Sequence, residues 1–359
     1  MYVNSLTPAT GTFPAPPRRL KDFFYGRSTT TVNKPLRLAN RRFGASARGL
    51  LLILLLLLCS CAKREDPQLL SQSAIKGGQA QPQGGPVYTD ALGRSYAVKA
   101  YPRRIVCLAP AITEILFAIG AGDRVVGVTQ YCDYPPEAAT RTKVGGFSGA
   151  TVSMEQIRLL NPDLVILSAE MHSRIVSLLD DLGIPSFAVE PRNFSEVYDV
   201  IALLGDVTGF SDGAEKVIAG MKSRIAAVED QVRGTDQKSV FWILGTDPLM
   251  TAGSENFISE AIRLGGGKNI FDDIKERWPL VSAEQVLLRK PEWIFMGDDM
   301  TGAAMPENVI PANLRVQSIP AVKEKRIAVI KGDLVYRYGP RLAEAVEVIA
   351  GILHGTDNK

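Results

Sequence analysis

The stretch VSMEQIRLLNPDLVI, Val152 to Ile166, is written a second time as VSAEQVLLRKPEWIF, Val281 to Phe295. The copies start 129 residues apart and share Val, Ser, Glu, Gln and Pro at matched offsets. Each reads as a helix start, a helix exit at proline and an apolar strand. A chain that writes this unit twice at such a distance is constrained to build two similar α/β halves.

The rest of the chain agrees. Apolar strand-like runs at 104–109, 125–129, 163–168 and 186–190 alternate with helical patterns at 112–119, 153–160, 172–182 and 195–208. The alternation resumes with strands at 239–244, 292–296 and 326–330 and helices at 255–264, 282–289 and 340–353. Strands separated by helical crossovers predict parallel sheets. Between the halves, Ala214, Val217, Ile218, Met221, Ile225, Val228 and Val232 step by three or four over Ser211 to Arg233. That is one apolar face of a single helix about 34 Å long, suited to a rigid spine.

Within each copy, Ser153 precedes Gln156 and Ser282 precedes Gln285 by three, the spacing of a capping box. Glu155 and Glu284 then fall in the first turn, where the helix dipole favours a carboxylate. Capping explains Ser and Gln completely. It does not require the same Glu at the same position in both copies. That recurrence puts one carboxylate on each of two similar lobes, an arrangement fit for a partner that spans both.

Charge is informative only once the N-terminus is set apart. Residues 1–60 hold nine basic residues and one acid, leaving 32 basic and 37 acidic residues from Cys61 onward, a net of −5. The body has no long basic patch, so nucleic acid is not an expected partner. The leader carries Arg41, Arg42 and Arg48 before an unbroken apolar run, Leu50 to Leu58. Nine residues are too few to cross a bilayer but suit a signal-peptide core. Leu58-Cys59-Ser60-Cys61 then resembles a bacterial lipobox, with Cys61 the lipidated residue. The approach to the apolar run is longer than export requires, so the true start is expected downstream of Met1. The expected organisation is a lipoprotein signal peptide over 1–60, a flexible tether over 61–86, an α/β lobe over 87–209, an interlobe helix over 210–234 and a second α/β lobe over 235–355. The tether is rich in Gln, Gly, Pro and Ser. Next to it, VYTDALGRSYAV reads as a hairpin. Cys107 and Cys132 are expected as buried or half-buried free thiols. An exported location permits their disulfide without demanding it.

Motifs for catalysis fail on inspection. Gly120-Ala121-Gly122 lacks the third glycine of a dinucleotide fingerprint and reads as a helix C-cap. Gly265-Gly266-Gly267-Lys268 lacks the upstream glycine and the following Ser or Thr of a P-loop. GFSGA, at 146–150, misses the last glycine of a nucleophile elbow. Two histidines leave little for a zinc site. Glu114 and Asp133 are carboxylates near loops with no partner evident in the sequence. An enzyme is not expected.

The ordered segments RRIVCLAPAITEILFAIGAGDRVVGVTQYCDYPP, KVGG, the first copy, LGTDPLMTAGSENFISEAIRLGGGKNIF, RWPLVSAEQVLLRKPEWI and YGPRLAEAVEVIAGILH carry a family resemblance over about 88 to 355. The body resembles class III periplasmic binding proteins, the substrate-binding components of cobalamin, haem and ferric-siderophore ABC importers. YCDYPP and RWPLVS make it most similar to the cobalamin-binding branch. The resemblance implies two Rossmann-like lobes with parallel-rich sheets, joined by one long α-helix, with the ligand in the cleft between them. It implies that Glu155 and Glu284 dock on arginines of a permease dimer.

The resemblance also implies that Pro110, Tyr131, Phe147, Leu244, Met250 and Trp278 face the ligand, with Tyr131 and Trp278 flanking a flat corrinoid. Arg192 and Arg337 would contact its anionic groups or stand in solvent. The haem branch often supplies an axial Tyr where Phe147 stands, and Phe cannot ligate iron. His172 is either an axial ligand to haem iron or corrinoid cobalt or, as preferred here, a partly exposed His at a helix start. His354 is expected at the surface. No resident cofactor is expected, because the metal chelate would be cargo. The expected partners are the permease, the chelate and the membrane through the lipid on Cys61, with the protein itself a monomer. Cobalamin, haem and siderophore all remain open as ligands.

Overall fold

The apolar runs become strands buried on both faces, which is why they do not alternate with polar residues. In the computed structural model, which describes residues 85–298, 310–315 and 318–355, every residue of Ile105–Cys107 and of Leu164–Ser168 is buried. The leader, Cys61 and most of the tether lie outside the described residues.

Strands β1 (Val87–Thr89) and β2 (Ser95–Ala97) form the expected antiparallel hairpin. The buried Asp90 carboxylate accepts from the Leu92 and Arg94 amides at 2.9 Å and closes the turn. Strands β3 (Ile105–Cys107), β4 (Val125–Val128), β5 (Thr142–Lys143), β6 (Leu164–Ser168) and β7 (Ser186–Val189) make one parallel sheet in the order β5-β4-β3-β6-β7. Helices α1 (Pro110–Ala118), α2 (Met154–Leu159) and α3 (Ala169–His172) cross between its strands. Helix α4 (Phe194–Thr208) leads out of this N-terminal lobe, and Gly209 ends it in the left-handed conformation. Helix α5 (Ser211–Val232) is the spine, 22 residues or about 33 Å long.

The second lobe holds β8 (Lys238–Ile243), a short hairpin of β9 (Gly245–Thr246) and β10 (Leu249–Met250), then β11 (Gly267–Asn269), β12 (Trp293–Gly297) and β13 (Ile327–Ile330). Its main sheet is parallel, in the order β11-β8-β12-β13. Its helices include α6 (Phe257–Leu264), α7 (Ala283–Arg289), α8 (Gly332–Tyr336) and α9 (Leu342–His354). The two-lobed α/β architecture expected from the sequence is present.

The spine buries the face that its spacing marked. Ala214, Met221, Ile225 and Val228 are buried, and Val217, Ile218 and Val232 pack beside them in a core that includes residues of both lobes. Helix α1 ends against it, and the approach is close: a Cβ on Gly213 would lie 2.0 Å from the Ile119 carbonyl oxygen. Only glycine fits there.

Three local elements differ from the sequence pattern. The helix expected over 172–182 is broken: α3 ends at His172, a 3₁₀ turn covers Ser173–Ile175, and a helix resumes over Val176–Asp181. Strand β11 grows from the glycine run, where a Cβ on Gly267 would meet Leu353 at 2.7 Å and Ile262 at 2.9 Å. Glycine there serves close packing, a use that does not show as strand propensity. Finally, the capping box is reciprocal only at α7, where Ser282 and Gln285 satisfy each other. At α2 the Ser153 hydroxyl accepts from the Gln156 amide at 3.3 Å, without the return bond.

Candidate functional site

In parallel sheets the loops after the carboxyl ends of the strands gather at one edge, and ligands of such folds bind there. The expected site residues occupy these loops. Pro110 opens α1 just after β3 and is buried. Tyr131 follows β4, Phe147 follows β5, His172 ends the short helix after β6, and Arg192 follows β7. Leu244 and Met250 follow β8.

Two of the aromatic residues meet. The Tyr131 and Phe147 rings pack edge to face with centroids 6.1 Å apart, and Tyr131 is 36% exposed. Trp278 belongs to the second lobe and packs against Phe257 at 6.1 Å, with the Arg277 guanidinium 5.5 Å from its centroid. Arg277 in turn reaches the first lobe, 3.2 Å from Glu170 and 3.8 Å from Glu190. Trp278 therefore stands beside a polar bridge between the lobes. Burial raises the Glu190 carboxyl above the usual range, against the opposing pull of hydrogen bonds from Ser168 and the Glu170 amide. Burial also drives the Tyr338 hydroxyl well above the ordinary tyrosine range, helped by the Glu190 charge. The Tyr338 ring touches Phe257 at 6.2 Å.

A second bridge is ionic and buried. Glu114 of α1 accepts from Arg341 through both oxygens, at 2.8 and 2.6 Å, and from Arg337 at 3.0 Å. The side chains of Glu114, Arg341 and Arg337 are only 2%, 10% and 12% exposed. Arg337 also binds Asp133 at 2.7 Å and Asp333 at 2.8 Å. Burial works against the Asp133 charge, but the Arg337 guanidinium outweighs it and holds the carboxyl below its usual range. The Arg341 guanidinium lies 4.2 Å over the Tyr134 ring. Glu114, Asp133 and Tyr134 come from the first lobe, and Arg337 and Arg341 from the second.

Several expectations change. Arg337 neither stands in solvent nor waits for a ligand anion, because three carboxylates neutralise it. His172 is buried, at 1% exposure, and ends its helix rather than starting it. Burial pushes its imidazole down to about 4, and the nearby Phe147 and Ser168 backbones offset this only in part. Neither ring nitrogen meets a partner at hydrogen-bonding geometry among the described residues. Leu244 and Met250, 1% and 9% exposed, pack in the core instead of forming a cleft wall. The Arg192 side chain is exposed, while its amide donates to Glu196 at 2.8 Å. His354 is half-buried, its ring 3.3 Å from the Gly266 carbonyl. Cys107 and Cys132 are buried and free.

The bridging residues Glu190, Arg277, Tyr338 and Arg341 were not singled out from the sequence. Their side-chain hydrogen-bond partners lie 20 to 227 residues away, so no local pattern marks them. Glu155 and Glu284 are exposed in the first turns of α2 and α7. A hydrogen bond with the Ser282 hydroxyl holds Glu284 below the usual carboxylate range. Two pockets of about 410 and 490 Å³ lie on the second lobe around Val232, Arg263 and Asn269, and neither includes any expected site residue. Among the described residues no three His, Cys, Asp or Glu side chains gather as a metal site, and no helix is long and apolar enough to cross a membrane.

A family model for periplasmic binding proteins matches residues 105–334, a span covering both sheets and the spine. The chain belongs to the periplasmic binding protein family. This binding protein is 30% identical over 254 residues to the vitamin B12-binding protein of Photorhabdus laumondii, covering 70% of this chain and 88% of the relative. It is 32% identical over 269 residues to an uncharacterized ABC transporter substrate-binding lipoprotein of Bacillus subtilis, covering 73% and 83% respectively. The solved apo structure of a periplasmic heme-binding protein from Roseiflexus superposes with a TM-score of 0.63 at 27% identity, covering 70% of this chain and 98% of that one. The family is one of solute-binding transport proteins.

Proposed function

We propose that this binding protein captures cobalamin between its lobes as the lipid-anchored component of an ABC importer, held by lipid on Cys61. One observation carries the ligand class: an aromatic pair on the first lobe, exposed Tyr131 and half-buried Phe147, and a half-buried Trp278 on the second. Aromatic walls on both sides suit a large flat ligand. The relative named for vitamin B12 supports the corrinoid among such ligands. In this reading the protein delivers its cargo to a permease dimer through Glu155 on one lobe and Glu284 on the other. Their exposure and their matched positions support that role.

A haem reading keeps one observation of its own. His172 is neutral at physiological pH, has no partner at hydrogen-bonding geometry for either ring nitrogen among the described residues and lies beside the Phe147 loop. Neutral imidazole is the form that ligates metal. Against it, Phe147 offers no hydroxyl to iron.

The test is a titration of the protein from Ala62 onward with cyanocobalamin and, separately, haemin, followed by tryptophan fluorescence and the visible spectrum. Stoichiometric quenching by the corrinoid alone is expected. A Soret shift with haemin and no response to cyanocobalamin would replace the corrinoid with haem.

A further inference from the structure

The repeat contains an identity that capping does not explain. Leu159 and Leu288 are also 129 residues apart, each four residues after its Glu. They are 71% and 81% exposed, the two most exposed large apolar side chains among the described residues. A single exposed leucine calls for no explanation. Two at equivalent positions on two lobes do. The fold does not use them, because Ile157 and Val286, both fully buried, anchor α2 and α7 to their lobes. A spacing of four puts each Leu beside its Glu on one helix face. The other neighbours have diverged: Arg158 stands opposite Leu287, and Leu160 opposite Arg289. Outside the capping residues, the outward signal common to both copies is therefore one carboxylate and one leucine.

We propose that Leu159 and Leu288 are paired apolar anchors for the permease, one entering an apolar pocket on each of two equivalent subunits. The inference rests on the docking role proposed for Glu155 and Glu284, and it extends that contact from a charge pair to a knob with a charge beside it. Each subunit then offers a cationic side chain next to an apolar hollow. The carboxylates set the approach and the register, while burial of an already exposed leucine adds about tenfold or more in affinity per lobe. A lipid surface fits less well, because the adjacent carboxylates are repelled by anionic headgroups.

Photo-crosslinking in intact producing cells tests this. A benzophenone amino acid is placed in the full chain at 159, 288, 155, 284 or, as control, at the exposed Leu178, and adducts are identified by mass spectrometry. Adducts from 159 and from 288 to the same membrane-spanning subunit, with none from 178, are expected. Adducts from 155 and 284 only would overturn the anchor role and leave the docking glutamates standing. No adduct from any of the four would overturn both. Adducts from 159 and 288 to phospholipid or to a soluble protein would overturn the permease as occupant.

Discussion

Replacing Glu114 with Ala should cost far more stability than removing a surface carboxylate. The side chain is 2% exposed and receives three guanidinium bonds, at 2.6, 2.8 and 3.0 Å, from two arginines that are themselves nearly buried. Removing one partner of such a group strands the opposite charge in a poorly solvated site, at a cost of about 3–5 kcal/mol. Arg337 keeps Asp133 and Asp333, so most of the loss falls on Arg341, whose second carboxylate, Asp333, is 3.9 Å away. For a body of this size the loss corresponds to a drop in melting temperature of about 10 °C. Urea unfolding and a thermal melt measure it. The double variant Glu114→Leu, Arg341→Met removes both charges together and should recover most of the loss, since apolar replacement of a buried pair is often close to neutral. A loss below about 1 kcal/mol for Glu114→Ala, the range of an exposed pair, would refute the buried bridge.

Other perturbations have signs fixed by the structure. The folded pKa of His172, about 4, lies below its unfolded value of 6.5, so its neutral form is favoured in the fold. Full stability is present above pH 6.5, and about 3 kcal/mol is lost as pH falls towards 4. Unfolding free energies of wild type and His172→Gln across that window should diverge by this amount, and parallel curves would contradict it. In the spine, Gly213→Ala should destabilise by about 1–3 kcal/mol, because the new Cβ meets backbone that cannot move aside. Gly220→Ala, on the same helix with nothing within 4 Å, should instead stabilise by about 0.5–1 kcal/mol, and chemical denaturation of both variants checks the opposite signs.

The fold was legible wherever the signal was local. Unbroken apolar runs marked β3, β6 and β8, and three- and four-residue steps marked the spine face from Ala214 to Val232. Strand β11 stayed hidden because its glycines are chosen for contact with Leu353 and Ile262, remote in sequence. The site was legible as loop positions but not as contacts. Tyr131 and Phe147 are 16 residues apart and meet, whereas the sequence offers Arg337 only a ligand anion or solvent, because its partner Glu114 lies 223 residues away. A polar residue near a helix end is usually solvated, whereas His172 is buried. Its burial depends on the loop around Phe147 and Gly149, remote in sequence, lying against it. Leu159 and Leu288 were readable in the repeat itself, but only exposure on both lobes gives them meaning.

The capture of a corrinoid between the lobes is tested most directly by calorimetric titration of cyanocobalamin into wild type and Trp278→Ala. One ligand per protein is predicted, with affinity about 30-fold weaker in the variant, the loss of about 2 kcal/mol from one aromatic wall. Unchanged affinity in Trp278→Ala, or no binding heat in wild type, would contradict it.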